Sequence, residues 1–225
     1  MQAKDIYALV SQRLQDMQEP RRWPWEDAGD TEVTLQRFLN NALLLVALQR
    51  PDSTSVIKPF TLQTGALQEL GSDDLFLLEC PYLLDDDDKP KRSLTRIDRQ
   101  DLESHRNSWF SEDGDIWHWA YERTENAKHF WVVSGAKDGQ KVQTIMSERP
   151  DKVADPTDEL QISATYQPAL AEAILYQIFA SDTSDTNYQK AMHALENFAQ
   201  VLNIKLNADL FAPVGSRRRQ PPEED

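Results

Sequence analysis

Apolar residues recur at three- and four-residue steps at both ends of the chain and alternate in its middle. Ile6, Leu9, Val10, Leu14 and Met17 predict a first helix that Pro20 ends. A second helix is expected over about residues 31–49, with Asp30 or Thr31 as N-cap and Pro51 as its stop. Its apolar positions Val33, Leu35, Phe38, Leu39, Ala42, Leu43, Leu45, Val46 and Leu48 cover more than one face. Such a helix is either central to a bundle or pressed against a neighbouring subunit.

From about residue 54 to 160 the pattern shortens to strand-like runs, Val56–Leu62, Asp115–Tyr121, Phe130–Val133 and Val142–Ser147, divided by Asp113-Gly114 and Asp138-Gly139. The last two runs predict a hairpin. Arg99–Asn107 can form a short helix capped by Asp98, and Leu84–Arg92 reads as a charged loop. Helical spacing returns with Pro168 in a first turn, followed by Leu170, Ile174, Leu175, Ile178 and Phe179. After Ser181–Asp185 comes Tyr188, Ala191, Met192, Leu195, Phe198, Ala199 and Leu202, and the short break predicts antiparallel neighbours. Beyond Ala212 the Pro-, Arg- and Glu-rich sequence cannot build a core.

These readings sum to an α+β, mainly helical fold, an antiparallel bundle of N- and C-terminal helices with a β-rich insertion. The expected divisions are residues 1–53 and 161–205 for the bundle, 54–160 for the insertion and 206–225 for a flexible C-terminal arm.

Composition narrows the function. The chain has 225 residues, enough for a sizeable core, and no apolar run approaches the roughly 18 residues of a membrane span. Its N-terminus reads as a polar amphipathic helix rather than a secretory leader. One cysteine, Cys80, excludes a disulfide framework and a multi-cysteine metal site. A formal charge of −14 opposes phosphate binding. It serves either solubility or a surface that stays near DNA without sticking to it.

The search for chemistry returns little. Asp85–Asp88 lacks the alternating ligands and turn glycine of an EF-hand and reads as a solvated loop. His105, His118, His129 and His193 have no metal-ligand spacing, and the seven glycines form no phosphate loop. Cys80 follows Leu75-Phe76-Leu77-Leu78 and is expected to be a buried structural thiol. The aromatic group Trp109, Phe110, Trp117, Trp119, Tyr121, Phe130 and Trp131 is either the core of the β-rich part or an interface. Strand alternation would put Trp117, Trp119 and Tyr121 on one face, with Ile116, His118 and Ala120 on the other.

Several features in fixed order resemble the head-to-tail adaptor (connector) proteins of tailed bacteriophages, particularly short-tailed ones. They are the N-terminal helix, Arg22-Trp23-Pro24, Phe38-Leu39-Asn40-Asn41-Ala42, Arg50-Pro51-Asp52 and Thr61-Leu62-Gln63-Thr64-Gly65. Asp98-Arg99-Gln100-Asp101-Leu102 before Trp109, Phe130-Trp131-Val132-Val133, Glu148-Arg149-Pro150 and the closing helix pair complete the match over residues 1–205. Asp85–Arg92 looks like an insertion, and the tail after Ala212 has no counterpart.

The resemblance implies a structural virion protein, not an enzyme, made in the host cytoplasm and seated at the head–tail junction. It implies a homo-oligomeric ring, typically twelve-fold, between the portal protein and a tail or nozzle protein. DNA would pass its channel without specific binding, and neither cofactor, metal nor membrane is expected. Candidate subunit or partner contacts are Trp23, Trp25, Trp117, Trp119 and the arm residues Arg217, Arg218 and Arg219. The alternatives are a soluble phage assembly module that forms no ring, and a hydrolase with carboxylates in the aromatic middle.

Overall fold

The computed structural model describes residues 1–15, 31–105, 109, 115–124, 126–181 and 185–203. Among them are five α-helices and eight strands. The helices are α1 (Ala3–Arg13), α2 (Thr31–Gln49), α3 (Arg99–His105), α4 (Gln167–Ala180) and α5 (Asp185–Leu202). The strands are β1 (Ser55–Thr61), β2 (Gly65–Glu69), β3 (Asp74–Leu84), β4 (Pro90–Ser93), β5 (Thr95–Arg96), β6 (His118–Ala120), β7 (His129–Ala136) and β8 (Lys141–Glu148).

The strands make two four-stranded sheets, ordered β1-β8-β3-β4 and β2-β7-β6-β5. Leu77, Cys80, Leu83, Val142 and Met146 from the first sheet meet Trp119, Phe130, Val132 and Ala136 from the second in one buried cluster. The Phe60 and Phe130 rings touch edge to face at 5.5 Å across it. The sheets therefore form a sandwich. Leu102 and Ile97 cover the outer face of the second sheet against Ala66, Trp109 and Val133. Asp98 caps α3, its carboxylate accepting from the Gln100 N–H at 2.7 Å.

A separate core joins α1, α2, α4 and α5. α4 lies at its centre: Ala169, Leu170, Ala171, Ala173, Ile174 and Leu175 are all buried, and consecutive residues 100° apart can all be covered only when neighbours surround the helix. Its one buried carboxylate, Glu172, pairs with Arg13 of α1.

Three expectations are corrected. The fold is an α+β molecule with two full sheets, not a mainly helical bundle carrying an insertion. β7 and β8 are no hairpin: β7 pairs with β2 and β6, β8 with β1 and β3, so the chain crosses between sheets after Ala136. Crossing sets Phe130 and Val132 face to face with Val142 and Met146, burying both apolar rows at once. Finally, the charged stretch after Leu84 is the turn of a β3–β4 hairpin, with Tyr82 opposite Ser93. Asp85 builds that turn, its carboxylate accepting from the N–H groups of Asp87 and Lys89 at 3.0 and 2.8 Å.

Candidate protein–protein interface

The residues that carry the sequence resemblance hold the molecule's parts to one another. Asn40 on α2 clamps the backbone of Val153: its amide donates to the Val153 carbonyl at 3.1 Å and accepts from its N–H at 2.8 Å. Gln36, one helical turn earlier, donates to the same carbonyl at 2.8 Å. Asn41 donates to Gln177 of α4, which donates in turn to the Phe38 carbonyl, each at 3.0 Å. In the loop before β2, Gln68 satisfies Gln63 and Gly65, and Gly65 takes the positive φ of 107° that favours glycine.

Arg50 and Asp52 form the corresponding latch where α2 ends. The guanidinium donates twice to Asp52 at 3.0 Å and once to the Leu202 carbonyl at 3.1 Å, capping the end of α5. The Arg50 hydrogen bonds hold the Asp52 carboxyl below the ordinary carboxylate range. Helical layer and sandwich are joined by Arg123, which donates to the Leu48 carbonyl at 3.0 Å and lies 3.8 Å over the Phe76 ring. The Thr54 and Ser147 hydroxyls add a buried contact at 3.0 Å.

Apolar surface left for a partner includes the two margins of the sandwich, besides Tyr188 and Val201 on α5. One margin is β1 with β2. Leu62 donates to the Gln140 carbonyl at 2.7 Å, which places Phe60, Lys58 and Val56 in the hydrogen-bonded pairs and turns the Pro59 backbone outward. The missing N–H of Pro59 thus falls on the open edge, where it interrupts no ladder. This margin leaves Ile57 64% and Leu67 50% exposed. Lys58 is held between Asp74 and Glu148, both at 2.6 Å. Burial opposes the charge on Lys58, but the two carboxylates outweigh it and raise its pKa.

The other margin is β4 with β5. Arg92 reaches across from the first sheet, donates to the Ile116 carbonyl at 2.6 Å and stacks 3.8 Å over Trp117. Trp117 is 53% exposed, fixed in orientation by a guanidinium that is itself anchored.

Of the sequence-nominated contacts, Trp117 is accessible, whereas Trp119 is 3% exposed inside the sandwich. The expected alternation fails because regular strand covers only His118–Ala120, and Ile116 joins Trp119 and Tyr121 in the core. Trp23, Trp25, Phe110, Arg217, Arg218 and Arg219 lie outside the described residues. Ile57 and Leu67 were not singled out from the sequence. Pro59 within a strand run was the available signal, since it marks an edge.

Cys80 is buried, and desolvation together with Glu79 pushes its thiol up to about 12, which removes it as a nucleophile. Among the described residues no three His, Cys, Asp or Glu side chains gather as metal ligands, and no helix is long and apolar enough to cross a membrane. Two surface depressions, beside Asp86 and Gly139 and over Val153 and Leu160, are open to solvent.

No curated protein matches the sequence. The model of the SU10 adaptor protein family matches residues 1–221. That span includes both the latches and the two margins, and the chain belongs to this family of phage head-to-tail adaptors.

Proposed function

We propose that the protein is a ring-forming adaptor of a tailed phage, short-tailed by its sequence resemblance, which sits beneath the portal and joins capsid to tail. The observation that carries this reading is family membership across residues 1–221. Exposed apolar side chains at the sandwich margins, together with a buried Cys80 whose thiol is pushed up to about 12, fit a structural role.

In this reading copies associate side by side around a channel, twelve being the expected number, and contact portal on one side and a tail or nozzle protein on the other. A charge of −14 gives the channel wall a use, since carboxylates repel phosphates and let DNA slide during packaging and ejection. Residues 1–53 and 161–205 would form the body of each copy, and residues 54–160 the part facing outward or toward the tail. Residues 206–225, with Arg217, Arg218 and Arg219, would order on docking to portal, and Trp23 and Trp25 would meet a neighbouring chain.

Mixing the purified protein with its portal and measuring particle mass tests this directly. The expected product is a portal carrying a ring of copies visible by electron microscopy. A protein that never adds to portal sinks the adaptor reading.

A further inference from the structure

The first sheet ends in an edge with apolar side chains exposed on both faces. β1 leaves Val56 40% and Ile57 64% exposed, and these neighbours point to opposite sides of the strand. The outward backbone of Ile57 and Thr61 pairs with no strand among the described residues, since β8 takes the alternate residues Val56, Lys58 and Phe60. An edge of this kind accepts an added strand, and Pro59 removes only one of its outward N–H groups.

Beyond α5 the sequence has the pattern of such a strand. Ile204, Leu206, Ala208 and Leu210 alternate with Lys205, Asn207 and Asp209, and Pro213 closes the run. α5 stops before it, because Asn203 takes a φ of 52°, the left-handed conformation that ends helices. The root of the segment is fixed: Arg50 donates to the Leu202 carbonyl at 3.1 Å, and β1 begins soon after Arg50, at Ser55. The arm therefore starts near the Ser55 end of its own β1.

That starting point decides whose β1 the arm can join. Every pair in the first sheet is antiparallel, and an antiparallel partner of β1 must enter at the Thr61 end. The seven residues of β1 span about 23 Å, so reaching that end of its own strand would consume about seven residues of the arm and leave about three before Pro213. Parallel addition to its own β1 is the weaker pairing and foreign to this sheet. Resting on the ring reading above, we propose that residues 204–211 of each copy add as an antiparallel strand to the β1 edge of the next copy. Their apolar row covers Ile57. Copies gather on portal in that reading, so this pairing is part of the ordering of the arm there, and the stretch beyond Pro213, with its three arginines, is left to meet portal. Arm and edge are unlike surfaces, so the contact is heterologous and propagates around a ring instead of stopping at a pair.

A photoreactive side chain on the edge provides the test. Full-length protein carrying Ile57→benzoylphenylalanine is assembled on portal and irradiated, and the adducts are mapped by mass spectrometry. The expected product joins position 57 to residues 204–211 in a species of twice the chain mass. The same adduct at single chain mass assigns the arm to its own copy, and adducts to portal, to a tail protein or to another part of the chain name other occupants; each overturns the proposal. Rings that give no adduct overturn it too and leave the ring reading standing, whereas protein that never joins portal overturns both. A second measurement needs no replacement at position 57. In the unaltered protein, amide exchange at Ile57 and Thr61 should slow by about tenfold or more on passing from free protein to portal-bound rings. Leu206→Pro should abolish that slowing while its melting curve stays that of the unaltered protein. Exchange unchanged by assembly, or slowing that survives Leu206→Pro, overturns the assignment.

Discussion

The helical layer and the sandwich solve burial in different ways. In the helical layer the central α4 is enclosed by α1, α2 and α5 and its apolar residues find partners within the same chain, while α5 leaves Tyr188 and Val201 on its outer side in solvent. The sandwich also closes its core, around Phe130 and Met146, but leaves apolar side chains at both margins. Each sheet ends in strands whose outer backbone groups meet no other strand among the described residues. Such edges invite association unless something covers them. The difference separates what holds the chain together from what it can offer a neighbour, and the following substitutions test that separation from the largest effect to the smallest.

Truncating either core should be severe and equal. Phe198 in the helical layer and Phe130 in the sandwich are both almost wholly buried. Phe198→Ala and Phe130→Ala should each lower unfolding free energy by about 3–5 kcal/mol, read by urea titration. A much milder effect at Phe130 would mean that the sandwich is loosely packed alone, and that its margins need covering for stability as well as for assembly.

Latches come next. Asn40→Ala removes both bonds to the Val153 backbone while Gln36 keeps one, and should cost about 1–3 kcal/mol. Amide exchange at Val153 should rise with it, because that N–H loses its acceptor. Arg123→Ala should cost about 1 kcal/mol, since the residue is exposed and contributes one hydrogen bond and one ring contact. If the joint between the regions rests on it, calorimetry of this variant will show the helical layer and the sandwich melting less cooperatively.

Much of this contrast was legible in the sequence, though unevenly. Pro51 and Pro168 bracketed α2 and α4 because proline acts locally, whereas α1 ends at Arg13, short of Met17, and Pro20 lies outside the described residues. The Asp98 cap was visible for the same reason. Which helix is central was not: α2 and α4 are both richly apolar, and only the packing shows α4 surrounded while Leu48 at the end of α2 reaches solvent. β3 was hidden because Leu75-Phe76-Leu77-Leu78 is a continuous apolar run without a period, and its pairing with β8 is broken by register shifts. The β7–β8 crossover was misread because a four-residue link is compatible with a hairpin, and sheet membership is decided by distant partners. Asn40 and Arg50 stood out as motif residues, but their partners Val153 and Leu202 are over a hundred residues away in the chain and could not be seen.

Alkaline pH gives a gentler probe of the β1–β2 margin. The Lys58 pKa is raised in the folded protein, so the ammonium favours folding fully below the ordinary lysine value of about 10.4. That contribution is lost as pH rises through the higher folded value. The stability gap between the unaltered protein and Lys58→Met should therefore be constant up to about pH 10 and shrink above it. A gap unchanged through that range would show that Lys58 acts through its aliphatic stem.

The smallest effect on the monomer is expected at Ile57, and it divides the two regions most sharply. Its side chain is largely in water, so Ile57→Ser forfeits little burial and should leave stability within about 0.5 kcal/mol of the unaltered protein. A buried isoleucine in the other region behaves differently: Ile174→Ala, in the middle of α4, should cost about 2–5 kcal/mol. If the margins are surfaces for a second copy, Ile57→Ser will nonetheless reduce the fraction of protein entering portal-bound rings, because apolar area useless to the monomer is what an interface removes from water. Ring yield is then measured beside the melting curve. Normal yield with normal stability would make Ile57 an ordinary exposed side chain, and leave the sandwich as self-sufficient as the helices.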